Sequence, residues 1–173
     1  MLNKIVVATI NLDASSTIFD HALMLAKATG AHLGILYVTD SDEVNEDLPA
    51  YLESLEPFLS GDGIDPFCYV GQFEALEPDR FGALVKKAVS EGVTTDCIHC
   101  FGNPEMAINE FAAAWNADLI VLGRRGRSAA AELFFGSVSN FTLHNAPCSV
   151  YIVHESHRAN PENAVEQTAG LST

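Results

Sequence analysis

Short continuous runs of apolar residues alternate along this chain with longer stretches in which apolar residues recur at helical spacing. The continuous runs, each bounded by polar residues, predict strands buried on both faces; they cover 4–10, 32–38, 94–100, 118–123 and 149–153. The helical stretches predict amphipathic helices over 15–30, about 81–92, 103–115 and 138–145. Because strands and helices alternate, we expect an α/β fold with a parallel sheet and helices on both faces.

One predicted helix shows clear start signals. Asn103 is a suitable N-cap, and Pro104 fits the first helical position, where a backbone N–H is not needed. The buried side of this helix is predicted from its apolar spacing and consists of Ile108, Phe111, Ala112 and Trp115.

The alternation breaks down from Asp40 to about Asp79. Acidic residues, four prolines and the turn sequence SGDGID interrupt short apolar stretches, so we interpret 40–79 as an irregular insertion with short helices. From about Glu155 the chain is polar without periodicity, which predicts a disordered tail over 155–173. We therefore expect one domain over 1–154.

The charge balance excludes some classes of partner. The chain of 173 residues carries a formal net charge of −14, so we expect no nucleic-acid partner and no membrane partner, since both require basic surfaces. The N-terminal sequence MLNKIVVATI lacks the features of a signal peptide, and no apolar run is long enough to span a membrane. These observations predict a cytoplasmic protein.

The cysteines and histidines do not form an evident reactive group. Cys68, Cys97, Cys100 and Cys148 could form two disulfides, but in a cytoplasmic chain of this length we expect free thiols. Cys97 and Cys100 form a C-x-x-C sequence inside a predicted strand, where alternation sends them to opposite faces. We predict no catalytic residue and no metal site from these side chains.

A basic segment stands out against the acidic background. Arg124, Arg125 and Arg127 are three of the nine cationic side chains, and they lie within GRRGRSAAAELFFGSVS after the predicted strand 118–123. The same segment contains Gly-x-x-Gly followed after nine residues by Gly-Ser, at the start of a predicted helix. Glycines allow backbone amides to approach an anion, and a helix N-terminus attracts negative charge. This pattern predicts phosphate binding; a turn, a helix cap and a solvated basic loop are the simpler alternative.

Two familiar nucleotide motifs are absent. A phosphate-binding P-loop needs a Gly-Lys pair, which does not occur, and TINLDASS after the first strand contains no glycine for a dinucleotide fingerprint. The glycine pattern after DLIVLG, followed by SVSNFTLHNAPCSVYIV, instead closely resembles the ATP-binding branch of the universal stress protein family. The resemblance extends over about 3–154 and includes ALMLAKATGAHLGILYV and GNPEMAI.

The resemblance implies a fold and a ligand. The implied fold is a single-domain, doubly wound, Rossmann-like sheet of five parallel strands in the order 3-2-1-4-5. The implied ligand is ATP, with AMP and ADP as alternatives, together with Mg²⁺. The implied binding residues are Ala8, Thr9, Ile10, Asp13, Val38, Leu122, Gly123, Arg125, Gly126, Arg127, Gly136, Ser137, Val138 and Ser139.

These residues divide by role. The resemblance places Ala8, Thr9 and Val38 beside the adenine. It places Gly123, Arg125 and Gly126 along the ribose and phosphates, and the segment 136–139 at the phosphates.

The chain departs from the family at the end of the first strand. Ile10 occupies the position of an acidic residue in the family, and Ile10 cannot hydrogen-bond a nucleoside. Asn11 and Asp13 are the polar side chains that could replace it if the loop is shifted.

Two functional hypotheses remain from the sequence. The first is an ATP-binding sensor or switch of the stress response with slow or absent hydrolysis, because the sequence offers no P-loop lysine, no evident aspartate pair for magnesium and no clear base. The second is an interaction protein of the same fold that acts through dimerisation and its acidic insertion. In both, the resemblance implies a homodimer formed through the last strand, 149–153.

Overall fold

The structure is a computed structural model of the chain that describes residues 1–9, 17–39, 68–71, 82–123 and 136–154. Within these ranges the strands are β1 Lys4–Thr9, β2 His32–Thr39, β3 Cys68–Gly71, β4 Thr95–Phe101, β5 Leu119–Gly123 and β6 Ser149–Val153. The helices are α1 Thr17–Thr29, α2 Gly82–Ser90, α3 Pro104–Ala114 and α4 Ser137–Asn145. Every strand and helix that the apolar pattern predicts is therefore present near its predicted position.

Five strands form the predicted parallel sheet. The strands lie in the order β3-β4-β2-β1-β5-β6, and every neighbouring pair is parallel except β3 with β4. The parallel strands alone, numbered along the chain, have the order 3-2-1-4-5. This confirms the doubly wound, Rossmann-like prediction.

The strand β3 was not predicted. It lies in the segment 40–79 that we interpreted as irregular with short helices, and it pairs antiparallel with β4 at one edge of the sheet. Four residues are too few to show a period, and the hydrogen bonds of β3 come from a partner distant in sequence, so the local pattern could not indicate it. The remainder of that segment and the predicted tail 155–173 lie outside the described residues.

The sheet is covered on both faces, and successive residues of a strand enter opposite faces. In β1, Ile5 and Val7 pack in one core cluster with α1 and α2. Val6 and Ala8 pack in the other cluster, with α3. Burial on both faces explains why these strands are continuous apolar runs.

The same alternation separates two cysteines, as predicted. Cys97 packs in the cluster with α1 and α2, and Cys100 packs in the cluster with α3. As expected, Cys97 and Cys148 form no disulfide, but the expectation is wrong for Cys100, which is disulfide-bonded. The backbone register places Cys68 directly opposite Cys100. Antiparallel pairing joins positions that are far apart in the sequence, and C-x-x-C spacing does not reveal such a pair.

The start of α3 follows the predicted pattern. The Asn103 side-chain oxygen accepts hydrogen bonds from the backbone N–H groups of Glu105 at 2.8 Å and Met106 at 3.3 Å, with Pro104 in the first turn. The predicted buried positions of this helix and its C-cap, Ile108, Phe111, Ala112 and Trp115, all pack in the cluster on the α3 face.

A carboxylate joins the amino ends of β1 and β5. Asp118 Oδ2 accepts hydrogen bonds from the backbone N–H groups of Asn3 at 2.7 Å and Lys4 at 2.9 Å. These two bonds, that of Asn3 first, hold the pKa of Asp118 below its ordinary value of 3.8. The Asp118 N–H donates to the Lys4 carbonyl at 2.8 Å, so side chain and backbone together align the two central strands.

We expect Asp118→Asn to lower the thermal midpoint at neutral pH, because a neutral amide oxygen accepts these hydrogen bonds more weakly than a carboxylate oxygen. Because the folded pKa is lowered, the stabilisation is complete above 3.8 and is lost as pH falls through the folded pKa. The gap between wild type and variant, followed by calorimetry, should therefore close in acid. The exposed Glu110→Gln serves as control; a gap independent of pH would contradict this account.

Candidate functional site

The candidate site lies at the carboxyl ends of β1 and β5. The chain adds β2 and β4 on one side of β1, then returns to add β5 and β6 on the other side. Such a reversal of strand order leaves a crevice beyond the strand ends, where ligands of open α/β sheets bind. Ala8 and Leu122 are direct partners across β1 and β5, so these two predicted residues meet at this point.

Three of the predicted residues have side chains that point into the core. Ala8, Val38 and Leu122 are each no more than 5% exposed and pack in the same apolar cluster beneath α3. Val38 follows the β2 residue that pairs with Thr9. A ligand beyond these strand ends would therefore meet main-chain atoms of Ala8 and Val38 more readily than their side chains.

Gly123 is a contact point between helices from both faces. The Ser139 hydroxyl of α4 donates to the Gly123 carbonyl oxygen at 2.9 Å. A Cβ atom at Gly123 would lie 2.2 Å from Cδ1 and 3.0 Å from Cγ1 of Ile18 in α1. The sequence suggested that this glycine admits a ligand; the structure adds that it admits the side chain of Ile18.

The Ser139 hydrogen bond limits what this hydroxyl can do. A serine hydroxyl has one proton, and phosphate oxygens only accept hydrogen bonds. While Ser139 donates to Gly123, it cannot also donate to a phosphate. Ser139 is 3% exposed, which agrees with a role in holding α4 on the end of β5.

Among the described residues, no side chain caps the N-terminus of α4. Its N-cap is Gly136, which offers no side-chain hydrogen bond, and the first turn has no acidic residue. The Asn140 N–H donates the first hydrogen bond of the helix, to the Gly136 carbonyl at 2.9 Å. By helix geometry the N–H groups of 137–139 have no partner within the helix, and they carry its partial positive charge. Ser137 is exposed beside them, and Val138 packs against the core.

A buried histidine lies at the ends of β2 and β4 and was not predicted from the sequence. His99 is 2% exposed, and its Nε2 lies 2.8 Å from Thr39 Oγ1. The rings of Tyr37 and Phe101 lie 5.1 and 4.2 Å from the His99 ring. This cluster fixes the end of β2 next to Val38. Its position as a polar residue inside a predicted apolar strand was the one sequence feature that could have indicated it.

Several predicted site residues lie outside the described residues. They are Ile10, Asn11, Asp13, Arg124, Arg125, Gly126 and Arg127. Their roles remain predictions from the sequence and its resemblance.

Two further searches cover only the described part of the chain. No three of its histidine, cysteine, aspartate and glutamate residues are grouped so that they could hold a metal ion. None of its helices is long and apolar enough to cross a membrane.

Comparison with known proteins identifies the class. The sequence profile described as the universal stress protein family matches residues 1–154. The chain is 31% identical to the universal stress protein Sll1388 of Synechocystis over 156 residues, which is 87% of this chain and 96% of that protein. The chain therefore belongs to the universal stress protein family.

Solved structures of the family share the fold. A universal stress protein in complex with cAMP has a TM-score of 0.58 and 24% identity, with 90% of this chain and 98% of that chain covered. A family protein from Arabidopsis thaliana with AMP bound has a TM-score of 0.56 and 17% identity, with 92% and 98% covered.

We expect Gly123→Ala to destabilise the protein by about 1–3 kcal/mol, because the new methyl group collides with Ile18 in a packed region. Ile18→Val removes Cδ1, the atom of closest approach, so Gly123→Ala should cost less in that background. Urea denaturation of wild type, both single variants and the double variant measures this coupling. Strictly additive losses would show that Ile18 is not the obstacle.

Proposed function

We propose that this protein binds an adenine nucleotide, ATP first, at the carboxyl ends of β1 and β5 and acts as a sensor or switch in a stress response. The observation that carries the proposal is the N-terminus of α4, which no described side chain caps, beside the end of β5 at the reversal of strand order. The cAMP and AMP bound to the two family structures support an adenine ligand.

The ligand would lie across the strand ends. Its base would contact main-chain atoms of Ala8, Thr9 and Val38, since the side chains of Ala8 and Val38 are committed to the core. Its phosphates would lie over the segment 136–139. Leu122 and Gly123 would border the ligand between these two ends.

The flanking loop residues complete the proposal. Arg125, Gly126 and Arg127 would add positive charge and close backbone approach along the ribose and phosphates. Ile10 and Asp13 would lie at the nucleoside, where Ile10 offers no hydrogen bond and Asp13 is the nearby carboxylate.

The two serines of α4 would have different roles. Ser137 is exposed and has its hydroxyl proton available for a phosphate oxygen. Ser139 donates to Gly123 and would act as a positioning residue that keeps the helix N-terminus in place. Mg²⁺ would be held chiefly by the phosphates and water, as is usual for this ion with nucleotides.

The proposed protein is a binder rather than an efficient hydrolase. Phosphoryl transfer to water requires charge stabilisation of the leaving group and a positioned nucleophile. The sequence has no P-loop lysine and no clear base for water. Labelled ATP with Mg²⁺ would compare turnover with occupancy: stable occupancy with little product supports a switch, whereas rapid turnover contradicts it.

We expect Ser137→Ala to weaken ATP binding by about 10- to 100-fold, because a hydrogen bond to a charged group contributes about 1.5–3 kcal/mol. Adenosine should bind as to wild type, since it lacks the phosphates. Ser149→Ala, the same change at an exposed position on β6, is the matched control. Calorimetry with adenosine, AMP and ATP provides the measurement.

Two results would contradict this placement. One is unchanged ATP affinity in Ser137→Ala. The other is an equal loss for adenosine and ATP, which would place Ser137 away from the phosphates. If the wild-type protein bound neither ATP nor AMP, the nucleotide proposal itself would be rejected.

A second candidate function is interaction through a homodimer, and the edge strand β6 favours it. Ser149 and Tyr151 are exposed on β6, and Leu143 of α4 is 42% exposed. Tyr151 OH lies 2.9 Å from His21 Nδ1, so the ring is held in place along α1. An apolar edge strand favours pairing with a second copy. We propose that β6 pairs antiparallel with itself about its middle residue.

In that arrangement Tyr151 faces its own copy. We expect Tyr151→Glu to yield a monomer, because two carboxylates would be brought together, and Tyr151→Lys to do the same with the opposite sign. Tyr151→Phe keeps the ring and should remain dimeric. Light scattering at micromolar concentration is the measurement, and a monomeric wild type would contradict the proposal.

A further inference from the structure

The second half of the Cys100 disulfide can be assigned from the backbone. The chain has four cysteines, and Cys97 and Cys148 are not part of a disulfide. Cys68 is the remaining one, and it lies directly opposite Cys100 in the antiparallel pair of β3 and β4. Opposed residues of antiparallel strands have Cα atoms about 4.5–5.5 Å apart, which is the range that a disulfide needs.

We propose that Cys68 and Cys100 form a thiol-exchange site: the disulfide latches β3 onto the sheet, and small thiols or protein dithiols reduce it and release the strand. This inference is independent of nucleotide binding. It concerns the edge of the sheet where the inserted segment joins the parallel core.

The placement of β3 makes the latch separable from the rest of the fold. β3 has four residues and pairs within the described residues with β4 alone, whereas β4 also pairs along its whole length with β2. Release of β3 leaves the five parallel strands and the helices on both faces intact. Opening of such an edge strand costs far less free energy than global unfolding.

Burial of Cys100 restricts access to its sulfur. Cys100 has no exposed surface and packs in the cluster beneath α3. A reductant therefore reaches the Cys100 sulfur when the edge strand opens. Reduction then removes the covalent link that favours reclosure, so the strand stays open longer.

The electrons must come from outside the chain. Cys97 is buried on the opposite face of β4. Cys148 directly precedes β6, at the far edge of the sheet, and burial together with the charge of Asp118 raises the pKa of its thiol. Neither of these two cysteines is placed to attack the disulfide, so no internal exchange competes with an external thiol.

The exchange balances with two external thiols. The thiolate of the first attacks one sulfur, forms a mixed disulfide and releases the other cysteine as a thiolate, which takes a proton. The thiolate of the second attacks the external sulfur of the mixed disulfide and releases the remaining cysteine. Two electrons and two protons pass to the protein, and the reductant leaves as its own disulfide.

The first measurement counts thiols in the full chain purified without reductant. Alkylating tags added under denaturing conditions should label two thiols before reduction and four afterwards. Digestion without reductant should yield one cross-linked pair of peptides that contains Cys68 and Cys100. Four labelled thiols before reduction, or a cross-link to a different cysteine, would overturn the assignment.

The second measurement tests exchange in the folded state. Glutathione buffers of varied ratio should interconvert the two forms reversibly while the far-ultraviolet circular dichroism is preserved. A disulfide that resists excess dithiothreitol until the protein unfolds would overturn the exchange site and leave only a structural link.

The third measurement tests the latch by hydrogen exchange. Amides of 97–100 that face β3 should exchange about 100-fold faster after reduction, the order of effect expected when a cross-link of this span is removed. Amides of Ile5–Ala8 in the sheet centre should be unchanged. Equal exchange at 97–100 in both forms would overturn the latch.

Variants separate the latch from general effects of cysteine loss. Cys148→Ser, at a free cysteine, should respond to reductant as wild type does. Cys68→Ser should exchange like the reduced protein with or without reductant, and Cys68→Ala should agree with it. A Cys68→Ser protein that keeps the slow exchange of the oxidised wild type would overturn the proposal.

Discussion

The site depends on the absence of a side chain at Gly123. Ile18 occupies the space where a Cβ atom would lie, and the Ser139 hydroxyl bonds the carbonyl of the same residue. One helix from each face of the sheet is thereby held against the end of β5. Because β5 is paired with β1 next to this point, the contact also fixes both helices relative to the crevice between the central strands.

The same contact explains how α4 can begin without a side-chain cap. A helix start normally gains stability from a side chain that accepts its first N–H groups. Here Gly136 offers none, and the helix is held instead by the hydrogen bond of Ser139 and by the packing of Val138. Among the described residues, tertiary contacts thus replace the local side-chain cap. Ser139, which anchors the helix, and Ser137, the proposed phosphate ligand, therefore lie within one turn of the same helix.

The sequence predicts the parallel sheet well because burial on both faces produces continuous apolar runs. It also predicts the start of α3, since Asn103 and Pro104 act locally. It does not predict β3, whose four residues depend on a partner about thirty positions away. Non-local pairing also explains why the C-x-x-C spacing drew attention to Cys97, when the residue opposite Cys100 is Cys68.

The candidate site could likewise be predicted where it depends on local sequence, but not where it depends on contacts between distant residues. The glycine and serine positions on β5 and α4 could be recognised from their order, but the partner of each could not. The sequence supplied two serine hydroxyls without indicating that Ser139 donates to a carbonyl. Ile18 was recognisable only as an apolar residue of a helix, and Asp118 as the polar first residue of a predicted strand. Which atoms they contact follows from the sheet order and register.

The two edges of the sheet differ in a way that controls how copies of the chain can add to one another. In the proposed contact of β6 with β6, both copies would use one surface, so a two-fold axis would close the assembly at two. Contact of one edge with the opposite edge of another copy would repeat without closure and form a filament. The short antiparallel β3 is a poor template for such growth, and it pairs with four of the seven residues of β4. In the proposed dimer, β3 would therefore favour a closed assembly over an open-ended polymer.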